Sequence, residues 1–136
     1  MSKLSKKSLT IFPKGLASFL VDSNADVKTS NYTVIIDDDS GSTIASALDG
    51  FVATLPGIAT GNTVTFVNMA PDGTAEYSIS PAAADGINYV GSNTDDKDLI
   101  NTKAKSKKGD SITLASLNGT TAWQVVAARG IWAKQA

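Results

Sequence analysis

The chain has 136 residues, 42% of them hydrophobic and 18% charged, which is enough apolar material for one domain with its own core and too regular a composition for a disordered chain. Twelve Lys and Arg against thirteen Asp and Glu leave a formal net charge of -1, so no global attraction to nucleic acid or to an anionic membrane is expected. Neither Cys nor His occurs. Their absence excludes disulfides, thiol nucleophiles and Cys-based zinc sites, and removes the commonest general base and the commonest ligand of zinc, copper and iron.

Residues 1–30 read as an extended N-terminal arm. Lys3, Lys6, Lys7 and Lys14 fall in a stretch without acids, and Leu9, Ile11, Phe12, Leu16, Phe19 and Leu20 form two short apolar pieces without a sustained period. The basic opening, the apolar stretch and the small residues near Ala25 imitate a secretory signal. Pro13, Lys14 and Gly15 cut that stretch into pieces shorter than a signal core, so secretion is not expected, and no segment approaches the length of a membrane span.

Residues 31–136 read as a β-domain, because short β-prone runs alternate with turn residues. The runs lie at residues 32–36, stopped by Asp37, Asp38, Asp39, Ser40 and Gly41; at 51–55, stopped by Pro56 and Gly57; and at 63–68, after Gly61. Further runs lie at 76–80, stopped by Pro81, and more weakly at 87–90. The last two, at 111–116 and 122–127, flank Asn118-Gly119. Asn-Gly tolerates the positive φ of a type I′ turn, so these two strands are expected to pair as a hairpin. A helical turn is expected at 43–48, where Ile44, Ala45 and Leu48 line one side.

Side chains of a strand alternate between its faces, so Val64 and Phe66 share one face, as do Ile112 and Leu114. With Trp123, Val125 and Trp132 they form the expected core or subunit interface. The fold class that follows is all-β, with at least six strands after residue 31: a small β-sandwich, jelly-roll-like, or a barrel, preceded by the extended arm.

Three motifs were weighed for chemistry. Asp37 to Asp39 and the group Asp95, Asp96 and Asp98 offer carboxylates, but they lack the alternation of a calcium loop, and the twelfth position counted from Asp37 is Leu48 where a bidentate Glu is needed. The only Glu is Glu76, inside a run, so no carboxylate pair stands out for acid–base work and no catalytic residue is assigned. Lys103, Lys105, Lys107 and Lys108 could grip phosphates, yet a lysine run without interleaved aromatics reads as a solvated loop. No metal or other cofactor is expected.

Several pieces occur in a set order: Leu55-Pro56-Gly57, then Gly61-Asn62-Thr63-Val64-Thr65-Phe66-Val67-Asn68, then Tyr77-Ser78-Ile79-Ser80-Pro81 and Gly86-Ile87-Asn88. Lys108-Gly109-Asp110-Ser111-Ile112-Thr113-Leu114 follows, leading to Trp123-Gln124-Val125-Val126 and Gly130-Ile131-Trp132. Over residues 32–132 the chain resembles a β-module that recurs in tailed-bacteriophage structural proteins, namely capsid decoration (cement) proteins, head fibres and tail-fibre tips. Neither heptads nor repeats of a fibre shaft occur, which turns the expectation toward a decoration protein.

That resemblance implies a virion structural protein without catalysis. It would act as a homo-oligomer, a trimer before a dimer, and attach to the major capsid protein. Its place would be the outer surface of the capsid, after synthesis in the host cytoplasm, with no nucleic acid or membrane partner. Lys3, Lys6, Lys7, Leu9, Ile11, Phe12, Lys14, Leu16, Phe19 and Leu20 of the arm are the expected capsid contacts. The alternative is a receptor- or carbohydrate-binding module of a phage fibre or spike, with Trp123 or Trp132 stacking on sugar.

Overall fold

In the longest early strand, Asn62–Asn68, Val64, Phe66 and Asn68 are buried while Thr63 is exposed, which is the two-residue period of a sheet with one covered face. A computed structural model of the protein describes residues 25–136 apart from Thr60, Asn93 and residues 118–121. Eleven strands occur among the described residues: β1 (Ala25–Lys28), β2 (Tyr32–Thr33), β3 (Thr43–Ser46), β4 (Phe51–Thr54), β5 (Asn62–Asn68), β6 (Tyr77–Ser80), β7 (Gly86–Asn88), β8 (Leu99–Asn101), β9 (Asp110–Ser116), β10 (Ala122–Arg129) and β11 (Ala133–Lys134). One four-residue helical turn, α1 (Ile36–Asp39), and one 3-10 turn, Lys103–Lys105, interrupt them.

The strands form two sheets, ordered β1-β3-β5-β9-β10-β7 and β11-β8-β6-β4-β2. The fold is all-β, a small sandwich. From β1 to β6 the chain crosses to the other sheet at every step, so β1, β3 and β5 run parallel in one sheet and β2, β4 and β6 run parallel in the other. Parallel neighbours need a crossover connection, and here the crossover is itself a strand of the opposite layer. One circuit carries Ala25 to its partner Thr43, and the next carries Thr43 to Thr65. The likeness to a jelly roll therefore lies in the layering, since a jelly roll joins antiparallel strands. Antiparallel pairing enters with β8 against β6 and with β9, which inserts between β5 and β10.

Several elements differ from the sequence reading. Residues 43–48 are not helical: β3 lies between β1 and β5, with Ile44, Ala45 and Ser46 all buried, and ladder bonds on both sides outweigh the local preference of so short a segment. The run at 32–36 is cut after Thr33. The carboxylate of Asp39 accepts from the Ile35 N–H at 2.7 Å and from the Tyr32 hydroxyl at 2.8 Å, which closes the chain into α1. β1 belongs to the sheet although it lies within residues 1–30, and β8 and β11 carry too few residues to give a readable alternation. β9 and β10 pair antiparallel, with a bulge between Val125 and Ala127. The Asn118-Gly119 turn lies outside the described residues.

The core fills the space between the layers. Val64, Phe66, Ile112, Leu114 and Trp123 point into it from one sheet and meet Phe51, Tyr77, Ile79, Leu99 and Trp132 from the other. Tyr77 is the hub, with its ring 4.8 Å from Phe51, 6.5 Å from Phe66 and 6.2 Å from Trp132, the last two edge-on. Val125 is only partly buried, because β10 bulges beside it and leaves the sheet's cover.

Candidate functional site

The strand directions gather the connections into two ends of the sandwich. One end holds the exits of β1, β3, β5, β8 and β10 and the starts of β4, β6, β9 and β11. Lys28, Lys103, Lys105, Lys107, Lys108 and Arg129 stand there with Asp49, Asp72, Glu76 and Asp110, six cations against four acids, or +2. The opposite end carries α1 and the connections around residues 55–61, 81–85 and 94–98. It holds Asp39, Asp85, Asp95, Asp96 and Asp98 with Lys97 and Lys134, two cations against five acids, or -3. Among the described residues the charge is thus polarised along the strands.

At the lysine end a buried polar chain sits beneath the loops. Asn68 donates to the Ala75 carbonyl at 3.1 Å and to Asn101 Oδ1 at 2.8 Å, and its own Oδ1 accepts from the Ala70 N–H. Asn101 passes its two N–H bonds to Asp110 Oδ2 and to the Ile131 carbonyl, both at 3.0 Å. Asp110 Oδ2 also accepts from the Lys107 N–H at 2.9 Å. Every amide group of both asparagines is used, so the network fixes the loops after β5, β8 and β10 in one arrangement without exposing a reactive group. Gly130, at φ +90°, completes it, because a Cβ there would run into the Asp110 carboxylate.

Over this base the lysine loop is tied down at two places. Lys103 Nζ lies 2.8 Å from Asp49 Oδ2, and Lys107 Nζ lies 3.6 Å from Asp72 Oδ2. The Lys103 ammonium, with the Glu76 N–H next, holds the Asp49 carboxyl below its usual range, and the Lys108 N–H does the same for Asp72 ahead of the Lys107 charge. Lys105 and Lys108 are exposed, and their ammonium groups reach no carboxylate among the described residues.

The aspartate end is built differently. Asp39 and Asp85 are buried and serve the backbone, Asp39 as described and Asp85 by accepting from the Ile58 N–H at 2.9 Å. Asp95 and Asp96 face solvent. Lys134 turns inward to donate to the carbonyls of Ile87 and Lys97, joining the edges of the two sheets, and its burial lowers the ammonium pKa against the pull of Asp98. Among the described residues no three His, Cys, Asp or Glu side chains gather closely enough to hold a metal ion. No helix among them is long and apolar enough to cross a membrane.

Of the site residues expected from sequence, the arm positions Lys3 to Leu20 lie outside the described residues. Val64, Phe66, Ile112, Leu114, Trp123 and Trp132 come together in one core, and Val125 packs on its margin. Trp123 and Trp132 are 0% and 4% exposed, so neither indole offers a face to a sugar. Trp132 Nε1 donates to the Arg129 carbonyl at 3.0 Å, whereas Trp123 Nε1 is buried without a partner among the described residues. The Asn68, Asn101 and Asp110 chain was missed, since Asp110 beside four lysines reads as a solvated acid; Asn68 and Asp110 become partners only through the β5–β9 register. No protein-family model matches the chain, and no curated protein matches it.

Proposed function

We propose that the chain is a non-enzymatic structural protein of a tailed-phage virion, a capsid decoration (cement) protein that binds the outer surface of the head as a homo-oligomer and stabilises it. The observation that carries the reading is where the resembling pieces fall. They supply β5, β7, β9 and β10 of one sheet, β6 of the other and the closing Trp132, so they fall on strands and core of one sandwich and not on scattered turns. The buried polar groups support it too, because they fix loops, and among the described residues no nucleophile, base and orienting group stand together. The sugar-binding alternative draws no support from the aromatics, none of which is fully exposed among the described residues.

In this reading capsid expansion creates the seams between capsomers that the protein recognises, and binding only the expanded shell stabilises it by mass action. The arm makes much of the attachment, with Lys3, Lys6, Lys7 and Lys14 supplying charge and Leu9, Ile11, Phe12, Leu16, Phe19 and Leu20 supplying apolar anchors that order on contact. Deleting residues 2–21 spares β1 and leaves the domain folded and self-associating. Co-sedimentation with expanded heads tests the reading. The full chain pellets with the particles, less so at high salt, and the truncated chain pellets weakly. Equal decoration by both chains moves the attachment surface to the β-domain, and failure of the full chain to bind any head discards the capsid role.

A further inference from the structure

From the opposite charges of the two ends we infer a self-association surface: the lysine end of one copy docks, head to tail, on the aspartate end of a second copy. The inference deepens the homo-oligomer part of the proposed function and rests on it there. At the lysine end Lys105 and Lys108 are exposed, their ammonium groups without a carboxylate among the described residues, and Ile131 at the same end is 55% exposed. At the other end Asp95 and Asp96 are exposed, and Leu117, 64% exposed, projects from the same end. Each end therefore carries apolar area for contact together with a net charge opposite to that of the other end, and the partner that matches both is the other end of the same chain.

Charge complementarity of this kind sets orientation and encounter rate more than affinity. Six strands spaced about 4.8 Å apart make each end roughly 24 Å long, so a single contact falls below the area of a standard interface and is weak and salt-sensitive. A head-to-tail contact is heterologous, so it either closes into a ring or grows into a chain, and closure into a small ring makes the weak contacts support one another.

Sedimentation velocity on the full chain, without particles, tests this, and capsid binding can succeed or fail independently. The expected result is association in low salt that weakens at least about tenfold in 0.5 M salt. Lys105→Glu with Lys108→Glu should weaken association about tenfold or more, and Asp95→Lys with Asp96→Lys should do the same, because each places like charges across the contact. A chain carrying all four substitutions should associate again to within about threefold of the parent, since the charges then match with reversed sign. All four side chains are exposed, and circular dichroism checks that each variant is folded. A parent that is monomeric at every salt concentration, variants that associate like the parent, or a fourfold variant that stays dissociated would each overturn the inference. Deleting residues 2–21 should leave association unchanged; its loss would overturn the inference and assign the aspartate end to the lysines of the arm.

Discussion

The hydroxyl of Tyr77 donates to the main-chain carbonyl of Ile44 at 2.6 Å, a buried bond that ties β6 of one sheet to β3 of the other. Burial raises the phenol's pKa well above its ordinary value of 10.0, against the lowering effect of the Val67 backbone. The neutral phenol is thus the form that the fold selects. Its stability contribution is fully present below pH 10 and is lost as the pH rises further, because the unfolded chain releases the proton first. Tyr77→Phe should cost about 1–3 kcal/mol at pH 7, the price of leaving a buried acceptor short of its donor. Urea unfolding at pH 7 and at pH 10.5 checks it: the gap between the two proteins should narrow at the higher pH.

Asn101 lies at the centre of the polar chain, so its removal should cost more than one bond. Asn101→Ala strands a donor of Asn68 and the Ile131 carbonyl and takes one of two donors from Asp110 Oδ2, and should destabilise by roughly 2–4 kcal/mol. A double-mutant cycle with Asp110→Ala should be clearly non-additive, because the bond between the two side chains is already lost in either single variant. Additive losses would mean that the two side chains act separately.

Gly130 is held at φ +90° against the Asp110 carboxylate. Gly130→Ala should lower the melting temperature by an amount similar to Asn101→Ala, since the new methyl must displace that carboxylate as well as adopt a left-handed backbone. Equal melting temperatures for the variant and the parent would show that the loop relaxes freely.

The core positions should separate by depth. Phe66→Ala, at a site closed on all sides, should cost about 3–5 kcal/mol, while Val125→Ala on the margin should cost about 1 kcal/mol. Chemical denaturation of both variants measures the difference, and comparable losses would place Val125 as deep as Phe66.

Asp49 and Asp72 give the acid limb of the pH profile a direction. Both carboxyls titrate below their usual range, so their stabilising contribution is present above it and disappears as the pH falls through the lowered values. Replacing Asp49 by Asn should lower the melting temperature slightly at pH 7 and leave it unchanged at pH 2. Chelators, by contrast, should shift no melting temperature at either pH, given the missing Cys and His and the aspartate spacing.

The sandwich was legible because its longest strands obey the strictest rule. In β5 and β9 one face is buried and the register leaves Val64, Phe66, Ile112 and Leu114 no other side to take. Residues 43–48 were misread for the opposite reason: a strand covered on both faces shows a continuous buried run, which alternation cannot tell from a helical turn. The charged ends were half legible. Lys103 to Lys108 stand out as a run, but the acids of the other end come from three separate connections and are assembled only by the fold.

The winding of β1 to β6 also bears on how the chain is made. Strands leave the ribosome in an order in which each new one can dock on the strand two places earlier, so the first circuits can close while synthesis continues. Yet β5 keeps a bare edge until β9 emerges more than forty residues later, and β6 keeps one until β8 appears. A nascent chain stopped between Asn68 and Asp110 therefore presents an unfinished sheet to its neighbours on the same message, and slow translation through that interval is the step at which this protein is most exposed to aggregation.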